Sequence, residues 1–142
     1  MSATTTDGIS VGDRAELRTF GPLTRTDIVR YQGASGDFIP LHHDEVFARD
    51  AGFPTVFSVG MFQAGLLATY AVDWLGAENI RRYRARFSEQ VWPDDLLTCE
   101  GVVTAIDDEP DGGRRVTVEL TCTRQTGGVA IRGDADFVLG GR

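Results

Sequence analysis

Ser58-Val59-Gly60-Met61-Phe62-Gln63-Ala64-Gly65-Leu66-Leu67-Ala68-Thr69-Tyr70-Ala71-Val72-Asp73-Trp74-Leu75 is the stretch on which the fold turns. Its apolar residues fall on nearly every face of a helix until Asp73, and a helix of that kind has to be surrounded. From Val59 to Leu75 it is also the longest apolar stretch of the chain. Gln63, Asp73 and two glycines interrupt it, and it is short for a membrane span, which needs ~20 apolar residues. The spacing therefore predicts one long core helix from about Ser58 to Leu75, and the rest of the chain must supply what wraps it.

The wrapping material follows that helix. Ile80 to Val91 alternates, with Arg82, Arg84 and Arg86 on one side and Tyr83, Ala85 and Phe87 on the other. Trp92-Pro93-Asp94-Asp95 reads as a turn, Leu97 to Ile106 as a strand, and Asp107 to Gly113 as a hairpin turn. Arg115 to Arg124 alternates strictly through Val116, Val118, Leu120 and Cys122, and Gly127-Gly128 turns the chain into a last strand, Val129 to Leu139.

Upstream of the helix, Arg14 to Phe20 carries a short strand signal. Thr24 is placed to cap a helix whose third position is Asp27, close to a capping box. Ile28, Val29 and Tyr31 give that helix an apolar stripe, which Gly33 and Gly36 are expected to break. Phe38 to Leu41 forms an apolar loop ending in His42, His43 and Asp44, and Asp44 is expected to cap a brief helix stopped by Gly52. Residues 1–8 read as a loose Ser/Thr-rich tail and 9–142 as one domain without repeat or linker. Helices and strands segregated in this order point to an α+β domain with an antiparallel sheet. A single helix lying in the concave face of a curled sheet, the hot-dog fold, meets the burial demand of both; other α+β sheets also fit the pattern.

Composition bounds the function. With 142 residues, 42% hydrophobic and 25% charged, the chain is an ordinary globular domain that needs no staples. A net charge of −7 argues against nonspecific nucleic-acid or anionic-membrane partners. Cys99 and Cys122 are too few for a disulfide framework and have no metal-ligand spacing. They would face each other across a symmetric hairpin as buried thiols. No basic start precedes an apolar stretch, so the N-terminus does not read as a signal peptide, and a cytoplasmic protein is expected.

Two places carry candidate chemistry. Asp37 precedes His42 by five residues across a loop bent by Gly36 and Pro40, so a carboxylate and an imidazole from one loop can reach a common water. Apolar Phe38, Ile39 and Leu41 would keep it dry. The same residues also suit a surface loop in which Asp37 caps a turn and His42 and His43 are solvated. At the helix start, Gly60 permits close backbone approach and the first-turn amides have no intrahelical partners, a place to hold a carbonyl that gains charge. A plain tight entry into a buried helix fits as well. The arginines of Arg81-Arg82-Tyr83-Arg84-Ala85-Arg86 suit a solvated strand face better than a phosphate site.

The segment Tyr31-Gln32-Gly33-Ala34-Ser35-Gly36-Asp37-Phe38-Ile39-Pro40-Leu41-His42 resembles the hydratase motif of the MaoC-like, R-specific enoyl-CoA hydratases. That motif runs aromatic, small residues, Ser-Gly-Asp, any residue, Asn, Pro, aliphatic, His. Residues 22–37 and the turn at 92–95 look like the family too, so the resemblance spans nearly the whole chain. It implies a hot-dog fold, normally dimeric, that adds water across a trans-2-enoyl thioester to give the R-3-hydroxyacyl product. By position, Asp37 and His42 would activate water and return a proton to Cα, and the Gly60 amide would meet the thioester carbonyl. Phe38, Ile39, Val59 and Met61 would contact the substrate. The substrate would be an acyl-CoA or acyl-carrier-protein thioester, with no cofactor and no metal.

The chain departs from the motif in three places. Ile39 stands where the motif has Asn, Val59 where a His often precedes the glycine, and Ala68 where a family Ser falls. Residues 37–48 and 70–76 also resemble the small MaoC-like subunits of heteromeric actinobacterial hydratases acting on steroid side-chain enoyl-CoAs, which likewise lack the Asn. The assembly so implied is a homodimer or a heteromer with another MaoC-like chain, and a non-catalytic or partner-dependent subunit is the competing reading. A hot-dog thioesterase would need a carboxylate on the long helix, where Asp73 near its far end is the only acid.

Overall fold

The computed structural model describes residues 8–141, so the tail expected over 1–8 lies outside it but for Gly8. Strand β1 (Arg18–Phe20) leads through helix α1 (Arg25–Ser35), a 3-10 turn at Pro40–His42 and helix α2 (Glu45–Asp50) to helix α3 (Gly60–Leu75). Four strands follow: β2 (Ile80–Phe87), β3 (Leu97–Asp108), β4 (Arg114–Arg124) and β5 (Val129–Leu139). They form one antiparallel five-stranded sheet in the order β1-β3-β4-β5-β2. The strand that leaves α3 thus crosses to the far edge and pairs with the last strand, which closes the sheet around the helix.

Curling comes from three register irregularities. They lie between Ile80 and Arg82 on β2, between Val103 and Ala105 on β3, and where Cys122-Thr123 meets Ile131 and Val129. An extra residue on one strand sharpens the local twist and bends the ladder. Into the resulting hollow α3 sends Ala64, Leu67, Ala71 and Leu75 against Val118, Leu120, Ile131 and Phe137, all buried. The buried Leu67 and Leu120 side chains each contribute roughly 1.5–3 kcal/mol by leaving water. Tyr83 pins the sheet to the helix by donating its hydroxyl to the Ala64 carbonyl at 2.8 Å, and burial pushes its pKa up to about 12. This is the hot-dog arrangement. No helix among the described residues is long and apolar enough to cross a membrane.

The wrapping is less complete than the helix's composition implies. Met61, Gly65, Thr69 and Asp73 recur every four residues and form one open stripe of α3. Asp73 on that stripe is held by Arg18 at 2.7 Å.

Other elements differ from the expected boundaries for identifiable reasons. The strand expected from Arg14 shrinks to Arg18–Phe20, with Arg14 making a separate bridge to Val102. Between the two, the Ala15 amide still meets the Gly101 carbonyl at 3.0 Å, while the Glu16 carbonyl turns to α3 and accepts from the Tyr70 hydroxyl at 2.8 Å. Helix α1 runs through Gly33 rather than ending there, because an exposed glycine costs a helix about 1 kcal/mol without removing a hydrogen bond. It stops at Gly36, whose φ of 77° is left-handed backbone that favours glycine. The Thr24–Asp27 capping box forms as expected, at 3.0 and 2.9 Å. Of the expected apolar stripe only Ile28 is fully buried, and Val29 is exposed. Strand β2 ends at Phe87 rather than continuing to Val91.

The arginines of β2 point away from α3, opposite Tyr83. Arg82 meets Asp134 at 3.1 Å and Asp136 at 3.0 Å, and Arg84 meets Asp134 at 3.4 Å, so this is the charged outer face that the alternation indicates. Cys99 stands directly opposite Cys122 across β3 and β4, both free and buried.

The turn at 92–95 fastens three segments together. Asp95 is buried, and its carboxylate accepts from the Trp92 amide, from Arg124 Nε at 2.7 Å and from Gln125 at 2.7 Å. Its carbonyl accepts from Leu23 at 2.9 Å. Burial works to raise the Asp95 pKa, but the Arg124, Trp92 and Gln125 hydrogen bonds outweigh it and hold the carboxyl below its ordinary value of 3.8. A carboxyl held low in the folded state stabilises the fold above that ordinary value, and the contribution is lost as pH falls below it. Asp95→Ala leaves the Trp92 amide and Gln125 without their acceptor and Arg124 with Glu89 at 3.3 Å as its remaining carboxylate, and is expected to cost about 3 kcal/mol in urea unfolding at pH 7. The gap between wild type and variant should narrow in titrations taken below pH 3.8.

Candidate active site

Residues 32–44 form a loop clamped from inside by one buried amide. Gln32 lies on the inner face of α1, one turn beyond Ile28, and is 2% exposed. Its Nε2 donates to the carbonyls of Asp37 (2.9 Å) and Ile39 (3.1 Å), and its Oε1 accepts from His43 Nδ1 (3.1 Å). Both N–H donors and the oxygen of that side chain are therefore engaged by the stretch that follows its own helix, as burial of an amide requires. Asp37 is half-buried. Its amide donates to Ser35 Oγ and its Oδ1 accepts from the Ile39 amide at 3.3 Å, a tight turn that leaves the carboxylate its second oxygen.

His42 ends the 3-10 turn and is 8% exposed. Its Nδ1 lies 2.7 Å from the Phe57 carbonyl. A carbonyl only accepts, so Nδ1 carries the proton, and in the neutral ring Nε2 is left with a lone pair. The Phe57 ring meets the imidazole edge-on at 5.1 Å and is itself packed against Phe53 and Trp92. The Phe57 amide donates back to the Leu41 carbonyl at 3.3 Å, so the strand-like segment before α3 backs the loop on both sides of His42. No direct hydrogen bond joins Asp37 to His42 among the described residues. Nearby, Glu45 ties α2 to α1 and to this segment through Thr55, Arg25 at 2.8 Å and the Val56 amide. The Thr55 hydroxyl, then Arg25, lowers its pKa to about 2.

Gly60 opens α3 beside a cavity of about 190 Å³ lined by Phe57, Ser58, Gly60, Gln63, Phe87 and Glu89. Phe57 therefore joins the two halves: its carbonyl orients His42 and its side borders the cavity at the helix start. A Cβ at Gly60 would lie 3.0 Å from the half-exposed Phe87 ring, so glycine lets the first turn of α3 and that ring meet without displacing it. The helix has no side-chain cap, and the Gly60 and Met61 amides have no acceptor among the described residues.

The other residues singled out from the sequence are less uniform. Phe38, Ile39 and Met61 are largely exposed, giving the loop and the helix start an open apolar surface, whereas Val59 is buried. Ile39 contributes its backbone to the clamp, and its side chain stands half-exposed with no polar atom to offer. Sequence reasoning missed Gln32, Phe57, Ser58 and Gln63. The signal for Gln32 and Gln63 was a polar residue at a buried helical position. Phe57 acts through its carbonyl, which no side-chain pattern reveals.

Comparison with known proteins now bears on this geometry. The family model of the MaoC-like domain (MaoC dehydratases) matches residues 8–126. Over 97 residues, 68% of this chain and 31% of the other, the sequence is 35% identical to 3-hydroxyacyl-thioester dehydratase X of Mycobacterium tuberculosis. It is 31% identical over 110 residues, 75% of this chain, to fatty acid synthase beta subunit pkiC of Emericella nidulans. The chain thus spans about a third of one curated relative and 6% of the other. The MaoC-like dehydratase of Rhodospirillum rubrum superposes with a TM-score of 0.83 at 26% identity, covering 98% of both chains. The ChsH1-ChsH2 complex of Mycobacterium tuberculosis superposes with a TM-score of 0.80 at 24% identity, covering 92% of this chain and 98% of that one, a likeness of fold. With most of its length matched by the family model and its sheet, helix and loop arranged as described, the chain belongs to the MaoC-like dehydratase family.

Proposed function

We propose that this protein adds water reversibly to a trans-2-enoyl thioester, giving the R-3-hydroxyacyl product, with Asp37 and His42 as its catalytic pair and Gly60 as the carbonyl donor. The observation that carries the reading is the 2.7 Å contact of His42 Nδ1 with the Phe57 carbonyl, which fixes the tautomer that leaves Nε2 a base. A water between Nε2 and the free oxygen of Asp37 gives up its proton to the pair as its oxygen bonds to Cβ. The alkene electrons shift toward Cα and the carbonyl oxygen, and the Gly60 amide meets the charge developing there. The pair then returns a proton to Cα, so the hydroxyl on Cβ and the hydrogen on Cα together make up one water. Dehydration runs the same steps backwards. Phe38, Ile39 and Met61 offer apolar surface to the acyl chain, and Val59 shapes the wall behind it.

Hydration is expected to bleach the conjugated enoyl-thioester absorbance of short, long or steroid-like enoyl-CoAs. Asp37→Asn and His42→Ala should each lower kcat by at least about 10²-fold with unchanged circular dichroism. Turnover that survives both substitutions would rule the pair out.

A second reading rests on Ile39, whose side chain has no polar atom to help hold a water. In that reading the chain is a partner-dependent subunit, like one half of the ChsH1-ChsH2 complex. Both readings require an assembly, since β1 and β2 are edge strands with one neighbour each and apolar Phe38, Met61 and Phe87 stand open. Sedimentation velocity should show a dimer or larger. A purified protein that is inactive alone and gains turnover only with a second MaoC-like chain would select the subunit reading.

Gln32 acts on the pair from behind. Gln32→Leu leaves the Asp37 carbonyl and His43 Nδ1 without their partner and the Ile39 carbonyl with the His42 amide alone, and is expected to destabilise the fold by about 1–3 kcal/mol. Misplacing the loop should lower kcat on the order of 10²-fold with little change in KM. Amide exchange at Ile39 and His42 should speed up in the same variant.

A further inference from the structure

An uncharged donor is built into the wall beside Gly60. Gln63 lies in the first turns of an otherwise apolar helix and is 2% exposed. No buried side-chain nitrogen or oxygen among the described residues lacks a partner, so an amide end without one has to reach open space. Its Oε1 is engaged, accepting from the Ser58 hydroxyl at 2.6 Å. Ser58 is buried as well, and its amide is tied to the Val91 carbonyl at 2.7 Å, so the acceptor end of the glutamine is anchored to the sheet side of the helix start. Its Nε2 has no acceptor among the described residues, and Gln63 lines the 190 Å³ cavity together with Ser58, Gly60, Phe57 and Phe87.

The direction of that nitrogen follows from helix geometry. Residues three apart share a face, and side chains on a helix lean toward its N-terminus. The contact with Ser58 shows that Gln63 reaches back past Gly60 to the residue before the cap. Its amide therefore lies across the same face as the Gly60 N–H, with the donor end left over for whatever enters the cavity. A carbonyl oxygen has two lone pairs, and one backbone amide fills one of them.

We propose that Gln63 is a second donor to the substrate: its Nε2 hydrogen-bonds the thioester carbonyl oxygen held by the Gly60 amide, and Ser58 is the positioning residue that keeps the amide turned donor-first. This assignment rests on the enoyl-thioester reading for its substrate, and it adds no proton or electron step. Being neutral, the donor stabilises the charge that develops on the oxygen without changing the charge of the bound thioester.

The test separates the two claims by using a readout that needs no turnover. Butyryl-CoA labelled with ¹³C at the carbonyl is bound to the full-length protein, and the isotope-edited infrared stretch of that carbonyl is compared across variants. The wild type should lower the stretch relative to solution. Gln63→Glu keeps the acceptor for Ser58 and removes the donor, and Gln63→Met removes both while keeping the volume; each should return the stretch toward its solution value. Ser58→Ala should shift it partway. Against an enoyl-CoA, Gln63→Glu and Gln63→Met should lower kcat by about 10²-fold with little change in KM, the scale of one lost oxyanion donor. Should Gln63→Met fail to fold with the Ser58 hydroxyl unpaired, the double Ser58→Ala, Gln63→Met variant removes that defect and reads the same loss. A stretch that is equally lowered in wild type and Gln63→Glu, or not lowered in wild type, overturns the proposal. A lowered stretch that depends on Gln63 in a protein with no turnover supports the donor and removes the hydratase reading alone.

Discussion

Helix α3 must hide apolar surface on most of its circumference, and the sheet is bent to supply the cover. The three irregularities in β2–β5 are where the bending occurs, and the crossing of β2 to the far edge is its topological consequence. Tyr83 and Tyr70 then spend their hydroxyls on the Ala64 and Glu16 carbonyls, so the apolar contact is located by two polar ones at opposite sides of the helix. A sheet held this way presents the start of α3 at its rim, where backbone donors stay unpaired.

The loop beside that rim is rigid for a different reason. It is not packed into the main core; its order comes from satisfied polar groups. Gln32 consumes the carbonyls of Asp37 and Ile39, Phe57 consumes Nδ1 of His42, and Glu45 consumes Thr55 and the Val56 amide. The Gln32 bonds join α1 to the loop, and the His42 and Glu45 bonds join the 3-10 turn and α2 to the segment before α3, so these elements are tied to one another. Acid–base chemistry needs that kind of support, because a carboxylate and an imidazole are useful only at a shared distance from one proton.

The chemistry of the two halves is complementary. In the proposed reaction the loop supplies the groups that exchange protons, and the helix start supplies donors that do not. Enoyl-thioester addition uses one of each: a proton moved at the alkene end and charge stabilised at the carbonyl end. Ile39 offers no polar atom on the first side of this proposed division, whereas the buried Gln63 amide lies on the second. On the proposed reading, a chain of the MaoC-like dehydratase family differs from the family motif beside the water while adding a donor beside the thioester carbonyl.

Much of this was legible in the residues. The apolar run from Val59 to Leu75, the alternation of β3 to β5 and the Thr24–Asp27 box are local signals, and local hydrogen bonding or periodicity is enough to express them. The spacing of Asp37 and His42 was equally plain, and so was the opposition of Cys99 and Cys122. The open stripe of α3, the shortening of β1 and the passage of α1 through Gly33 were not, because each depends on what a distant segment does with one carbonyl or one face. The same holds for the site: sequence alone determined which groups are available for chemistry, since those are carried by side chains at set intervals. Only the tertiary structure decided which nitrogen of His42 is free and which end of Gln63 faces the cavity, because both are set by acceptors and donors, the Phe57 carbonyl and the Ser58 hydroxyl, that folding brings to them.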